Sequence, residues 1–252
     1  MRKPIIGIVS KPKPKKEKNI WNKMYIADEI RYLIVKNGGL AISLLSPEET
    51  MDFNKDDIND KKILTKQEKD DIFELAKLCD GIILQGGMTS SNYEIEYAKK
   101  AIELNKPIIG ICAGFNNLLR ALGGDVEVNN TNSHNYLDKD YRHPITIVKD
   151  TKLHSIIKKD KIDVNSIHSL VATKESVESL AKISSYSEDG LVESFELNNK
   201  KFAMGIKWHP ELMLNEQYVD EIFKMFIDSA KEKEDVWDYK SCKNNAKINS
   251  NR

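Results

Sequence analysis

Cys112 closes the apolar run Ile108-Ile109-Gly110-Ile111 and opens a helical run that begins Ala113-Gly114-Phe115-Asn116. A strand that stops at a glycine-flanked cysteine and continues as a helix holds that thiol up at the strand's carboxyl end. The tight strand-to-helix turn crowds its own backbone, and Gly110, Ala113 and Gly114 leave room for it, the logic of a nucleophile elbow. The unpaired amides and positive dipole end of the following helix favour thiolate over thiol, and the thiolate is the attacking species. A nucleophile of this kind needs a base. His209 stands in Gly205-Ile206-Lys207-Trp208-His209-Pro210-Glu211, again where an apolar strand ends. Pro210 ends the strand pairing, and the Glu211 carboxylate two residues on is placed to hold the imidazole's other nitrogen. A thiol, a base and an orienting carboxylate are the parts of an acyl-transfer site.

These residues need a scaffold, and the apolar pattern supplies one. Strands are expected at Ile5–Val9, Leu40–Leu45, Gly81–Leu84 and Ile108–Ile111. Helices are expected between them, at about 21–37, 66–79, 93–104 and 115–122. This alternation predicts an α/β fold with a mostly parallel sheet flanked by helices, and ligands in such sheets sit at the strands' carboxyl ends. Gln85-Gly86-Gly87 follows one of these strands and Cys112 the next. The second half is richer in strand signals, at about 145–148, 162–165, 170–172, 181–185, 192–197 and 202–206. Asn198-Asn199 reads as a hairpin turn between the last two. A final amphipathic helix is expected at about 216–231. The division is one domain over 1–230 and a polar tail over 231–252.

The chain has 252 residues, enough for one α/β core. Its 39 basic and 39 acidic residues cancel, which argues against nucleic acid or an anionic membrane as a partner. The amino-terminal apolar run is too short for a signal peptide, and no stretch is long enough to span a bilayer, so a cytoplasmic protein is expected. Cys79, Cys112 and Cys242 have no paired metal spacing, which argues against a disulfide framework and a zinc site. Cys79 reads as core filler and Cys242 has no assigned role. Lys11 to Lys18 reads as a solvated loop. His134 and His143 read as solvent histidines in a polar loop, and His154 has no assigned function. No phosphate loop, metal cluster or dinucleotide fingerprint is present, so no metal and no cofactor are expected.

Gly110-Ile111-Cys112-Ala113-Gly114, Trp208-His209-Pro210-Glu211 and the Gly86-Gly87 turn together resemble the class I glutamine amidotransferase family. Within it they look most like the γ-glutamyl hydrolase-like branch, which includes γ-glutamyl-γ-aminobutyrate hydrolase. Asp80 to Gly87, Leu122-Gly123-Gly124, Val164-Asn165-Ser166-Ile167-His168 and Asp189-Gly190-Leu191-Val192-Glu193 add to the resemblance, which covers about residues 4 to 228.

The resemblance implies a flavodoxin-like architecture with extra strands in the second half. It also implies a catalytic set of Cys112, His209 and Glu211 that cleaves a γ-glutamyl amide through a thioester. The amide of Ala113, next to the nucleophile, and that of Gly87 or Gly86 would hold the oxyanion. Asn116, where the family commonly has glutamine, and Asn165, Ser166 and His168 are candidate contacts to the glutamyl group. The hydrolase branch usually has arginine after the cysteine and an aspartate after the glycine turn. Ala113 and Met88-Thr89-Ser90-Ser91 depart from that pattern and alter the lip of the pocket. The readings that follow are a stand-alone γ-glutamyl hydrolase, a glutaminase subunit feeding a separate synthetase, and a non-catalytic binding protein on the same fold. Partners are then a small γ-glutamyl substrate and either a second copy of the chain or a synthetase.

Overall fold

The computed structural model describes residues 2–13, 20–51, 53, 62–88, 90–129, 134–136, 138 and 140–231. The first half contains β1 (Ile5–Val9), β2 (Lys11–Lys13), β3 (Lys23–Tyr25), α1 (Asp28–Lys36), β4 (Leu40–Leu44), α2 (Lys66–Leu78), β5 (Gly81–Leu84), α3 (Asn92–Glu103), β6 (Ile108–Ile111) and α4 (Ala113–Ala121). The second half contains β7 (Glu127–Val128), β8 (His143–Ile147), α5 (Lys152–Ile157), β9 (Lys161–Val164), β10 (Leu170–Val171), α6 (Lys174–Val177), β11 (Lys182–Ser187), β12 (Val192–Glu196), β13 (Ala203–Ile206) and α7 (Gln217–Ala230).

The main sheet has nine strands in the order β4-β1-β5-β6-β13-β12-β11-β8-β9. From β4 to β13 every pairing is parallel. The extra strands β12, β11, β8 and β9 continue the sheet antiparallel. β5 and β6 are buried at every position, as strands covered by helices on both faces must be. One apolar cluster packs α1 and α7 against one face, and a second packs α2, α3 and α4 against the other. The chain starts α2 with a reciprocal cap, Thr65 accepting from the Glu68 amide while Glu68 accepts from the Thr65 amide. Asn198-Asn199 turns between β12 and β13, which pair as an antiparallel hairpin. No helix among the described residues is long and apolar enough to cross a membrane.

Two expectations fail near the amino terminus. The helix placed at 21–37 starts only at Asp28, because Lys23–Tyr25 is spent on β3, paired antiparallel with β2. The lysine stretch read as a solvated loop begins instead with a strand whose first residue, Lys11, is fully buried and ion-paired with Glu94 on α3. A buried ammonium is tolerable where a carboxylate meets it, and removing either partner of such a pair typically costs about 3–5 kcal/mol. Residues 14–18 and the tail from 232, with Cys242, lie outside the described residues. Cys79 is core filler as expected, fully buried with its thiol pushed up to about 11 by burial.

Candidate active site

Three parallel neighbours, β5, β6 and β13, bring the sequence motifs together. Ile111 of β6 is in register with Ile206 of β13, and Cys112 continues the ladder by donating its amide to the Ile206 carbonyl at 2.8 Å. The cysteine and the Lys207-Trp208-His209 segment therefore leave the sheet side by side. Leu84 of β5 pairs with Gly110, so Gln85-Gly86-Gly87 emerges on the other flank of Cys112.

Cys112 has φ +51° and ψ −103°, on the left-handed side that side chains avoid. Such backbone costs of order 1–3 kcal/mol and persists only where the surroundings impose it. Here α4 imposes it by pressing on the strands beneath. A Cβ on Gly114 would stand 2.0 Å from the Leu84 carbonyl oxygen, and one on Gly110 would stand 2.4 Å from the Gly114 carbonyl oxygen. Both glycines are therefore conditions of the elbow.

His209 Nδ1 donates to Glu211 Oε1 at 2.7 Å, which turns the other side of the ring to the sulfur. Burial alone would push the Cys112 thiol up. The facing His209 imidazolium, its hydrogen bond to the sulfur and the charge of Lys207 overcome that, and the thiol ends below its ordinary value. For His209, burial opposes the charged form, while the Glu211 carboxylate and the sulfur favour it more strongly, so the imidazole is held well above its usual range. Both shifts favour a thiolate–imidazolium pair, the nucleophilic state.

Asn165, proposed from the resemblance as a glutamyl contact, is committed to His209. Its Oδ1 accepts from the His209 amide and its Nδ2 donates to the His209 carbonyl, both at 2.8 Å. It thus positions the base. The Asn116 carbonyl oxygen accepts from the ammonium of Lys207. Sequence reasoning passed over Lys207, which is fully buried, lies 4.9 Å from the Phe115 ring centroid and has its pKa lowered to about 8 by burial. The signal was present as a lysine inside the apolar run that ends at His209.

Ser166 and His168 flank Ile167, whose carbonyl lies 3.8 Å from the Cys112 sulfur. Their own side chains turn into a buried group with His134 and Glu193. His134 and His143 are accordingly not solvent histidines. His134 is buried, and His143, at the start of β8, is half-buried with its Nε2 enclosed; both face Glu193 of β12.

The glycine turn is braced from behind. The buried Gln85 donates to the carbonyls of Val9 and Tyr25 at 3.0 and 2.9 Å and accepts from the Ala27 amide at 2.8 Å. Gly87 has φ +147°, and a Cβ there would lie 2.7 Å from both Lys11 Cδ and Tyr25 Oη. The buried Lys11–Glu94 pair thus supports the floor of the turn. Ala113 takes the first position of α4, where a helix leaves amides without internal partners. A Cβ on Gly86 would meet His209 Cε1 at 2.5 Å. Gly86→Ala is therefore expected to lower kcat/KM by about 100-fold or more through displacement of the imidazole. Circular dichroism and thermal melting, run beside the kinetics, check that the fold survives.

Residues 89–211 match the Peptidase C26 family. The protein NtpR of Enterococcus hirae is 31% identical over 156 residues, which span 58% of this chain and 64% of NtpR, a little under two thirds of its length. The protein YvdE of Lactococcus lactis, described as glutamine amidotransferase-like, is 27% identical over 255 residues, covering 89% of this chain and 98% of YvdE. Among solved structures, the glutaminase domain of Trypanosoma brucei CTPS with bound acivicin superposes with a TM-score of 0.60 at 16% identity, covering 93% of this chain and 96% of that one. That likeness is one of fold.

Proposed function

We propose, from the premise that this chain belongs to the class I glutamine amidotransferase-like family, that it is a cysteine-dependent hydrolase of γ-glutamyl amide bonds. The observation that carries this reading is the continuous line Cys112–His209–Glu211 at the ends of two adjacent strands. The Cys112 thiolate attacks the amide carbonyl carbon, a carbon–sulfur bond forms, and the carbonyl electrons move onto oxygen. As the carbon–nitrogen bond breaks, the His209 imidazolium gives its proton to the leaving amine. The neutral imidazole then takes a proton from water, which attacks the thioester, and glutamate leaves with the thiolate restored. Charge on the carbonyl oxygen at each tetrahedral stage calls for two amides, those of Ala113 and of Gly87 or Gly86. One such donor is worth about 3 kcal/mol of transition-state stabilisation.

The leaving amine is read at the lip of the pocket, where Ala113 and the exposed Met88 replace the arginine and acidic residue usual in the hydrolase branch. A smaller, less charged lip favours small or apolar amines. A second reading, a glutaminase unit that hands ammonia to a separate synthetase, draws on the fold shared with the T. brucei CTPS glutaminase domain. Glutamate release from a panel of γ-glutamyl amines and glutamine, with the chain alone, separates the two. Hydrolysis of the amines in preference to glutamine is expected. Activity confined to glutamine and raised by a co-purifying synthetase would favour the second reading. No release from any member would sink both.

A further inference from the structure

Beside the triad lies a second cluster that the hydrolytic mechanism does not use. His134, His143 at the start of β8, His168, Asp189 and Glu193 of β12 are distant in sequence and meet under one end of the sheet. Glu193 is fully buried, and neither of its carboxylate oxygens has a hydrogen-bond partner among the described residues. The His143 Nε2 is likewise enclosed and unpartnered there. One donor atom each from His134, His143 and Glu193 can be chosen so that all three lie within 4.8 Å of one another.

The placement of hydrogens sets what this pocket can hold. His134 Nε2 faces the Asp189 carboxylate at 3.0 Å, and His168 Nδ1 faces the Leu170 carbonyl at 3.2 Å. Carboxylates and carbonyls only accept, so those ring nitrogens carry the hydrogens. Where these imidazoles are neutral the opposite nitrogen is a lone pair turned inward, and on His134 a proton, which Glu193 and Asp189 favour, competes for that place. His134 Nδ1 lies 3.4 Å, and His168 Nε2 3.7 Å, from the same Glu193 oxygen. Ser166 is the neighbouring hydroxyl, with its Oγ 2.9 Å from the His134 carbonyl, 3.2 Å from His134 Nδ1 and 3.3 Å from His168 Nε2. The interior therefore gathers ring nitrogens and a hydroxyl around a buried carboxylate, and a cation bound among them would take the place of a proton on His134.

We propose that His134, His143 and Glu193 form a binding site for a divalent transition-metal ion of the zinc class. Two imidazoles and a carboxylate are a donor set suited to zinc, at bond lengths of about 2.0–2.2 Å that place ligand atoms roughly 3.4 Å apart in a tetrahedron. His134 Nδ1 and Glu193 Oε1 already have that separation. The outward contacts also fit, since a metal-bound histidine nearly always donates its far N–H to a carboxylate or carbonyl, as His134 does to Asp189. Such an ion ties His134 and the start of β8 to β12. Through the segment of Ser166, Ile167 and His168 it also braces the carbonyl that lies against the nucleophile.

The test is equilibrium metal binding by the full chain, stripped with a chelator and titrated with Zn²⁺ and Co²⁺. It is run in a Cys112→Ala background so that the catalytic thiol and imidazole do not act as a competing site. One equivalent of Co²⁺ with visible ligand-field absorption and a Zn²⁺-dependent rise in Tm are expected. Adding Glu193→Gln or His143→Ala should abolish both. Asp189→Asn, which keeps the shape of the group behind His134 and contributes no ligand atom, should weaken binding by roughly 10–100-fold and guards against a misfolded ligand variant. Failure to bind either metal, or binding undiminished in all three variants, overturns the site. Neither result depends on hydrolysis, so the proposed activity stands or falls separately.

Discussion

Cys112→Ala is expected to release no glutamate above background from any γ-glutamyl compound that the native chain hydrolyses, a loss of roughly 10⁴–10⁶-fold in kcat. The size follows from what sulfur does at this position. In the proposed reaction it supplies the attacking electrons and the bond that holds the acyl group while the amine departs. Cys79 cannot substitute, since it is buried beneath β1 and β4 with its thiol at about 11. What remains in the variant is the proposed pair of oxyanion amides, and in acyl-transfer triads such a remainder gives roughly 10³–10⁴-fold over water, far below the intact site. Alanine keeps a Cβ at φ +51°, so the backbone constraint persists and the melting temperature should change little. Glutamate assays with matched melting curves check both statements, and retained activity in a folded Cys112→Ala protein would remove the nucleophile from the account.

Glu211→Gln carries the second largest effect, a fall of about 10²–10⁴-fold in kcat/KM at neutral pH, by analogy with carboxylate-to-amide changes in acyl-transfer triads. The substitution preserves shape and removes one charge. Glu211 is buried and holds His209 Nδ1 at 2.7 Å. With the carboxylate gone, burial of His209 is opposed only by the sulfur, and the imidazolium becomes harder to form. The thiol is pulled both ways, since it loses part of its positive partner but also the Glu211 charge that itself raises it. The alkaline limb of the pH–rate profile should move to lower pH, because His209 loses its proton earlier. A bell cut back on its alkaline side, measured as kcat/KM from pH 5 to 10, is the expected signature. A uniformly lowered profile with unmoved limbs would indicate that Glu211 serves only to fold the turn.

The residues legible in the sequence are those whose role is written locally. Cys112 between an apolar run and a helix, His209 before Pro210, and Gly86-Gly87 after β5 each announce a strand end, and parallel pairing of β5, β6 and β13 does the rest. The residues that escaped are charged or polar groups whose burial depends on a distant partner. Lys11 looked solvated because nothing nearby reveals Glu94 on α3. Lys207, beside the catalytic histidine, is buried against Phe115 and Asn116 of α4. His134 and His143 sit in a polar stretch whose composition suggests water, and only the distant Glu193 of β12, which the fold brings to them, reveals their burial. The helix expected from residue 21 failed for a similar reason, since pairing with β2 claimed Lys23–Tyr25 first. Asn165 was found by resemblance, but its hydrogen bonds to the His209 backbone give it a positioning role.

The central claim is that Cys112 becomes acylated by the γ-glutamyl group, and acid-quenched intact mass spectrometry of the enzyme during turnover tests it most directly. The account predicts an adduct of one glutamyl acyl group that peptide mapping places on Cys112, that hydroxylamine removes, and that is absent from Cys112→Ala. Turnover that persists in Cys112→Ala, or an adduct on any other residue, would contradict it.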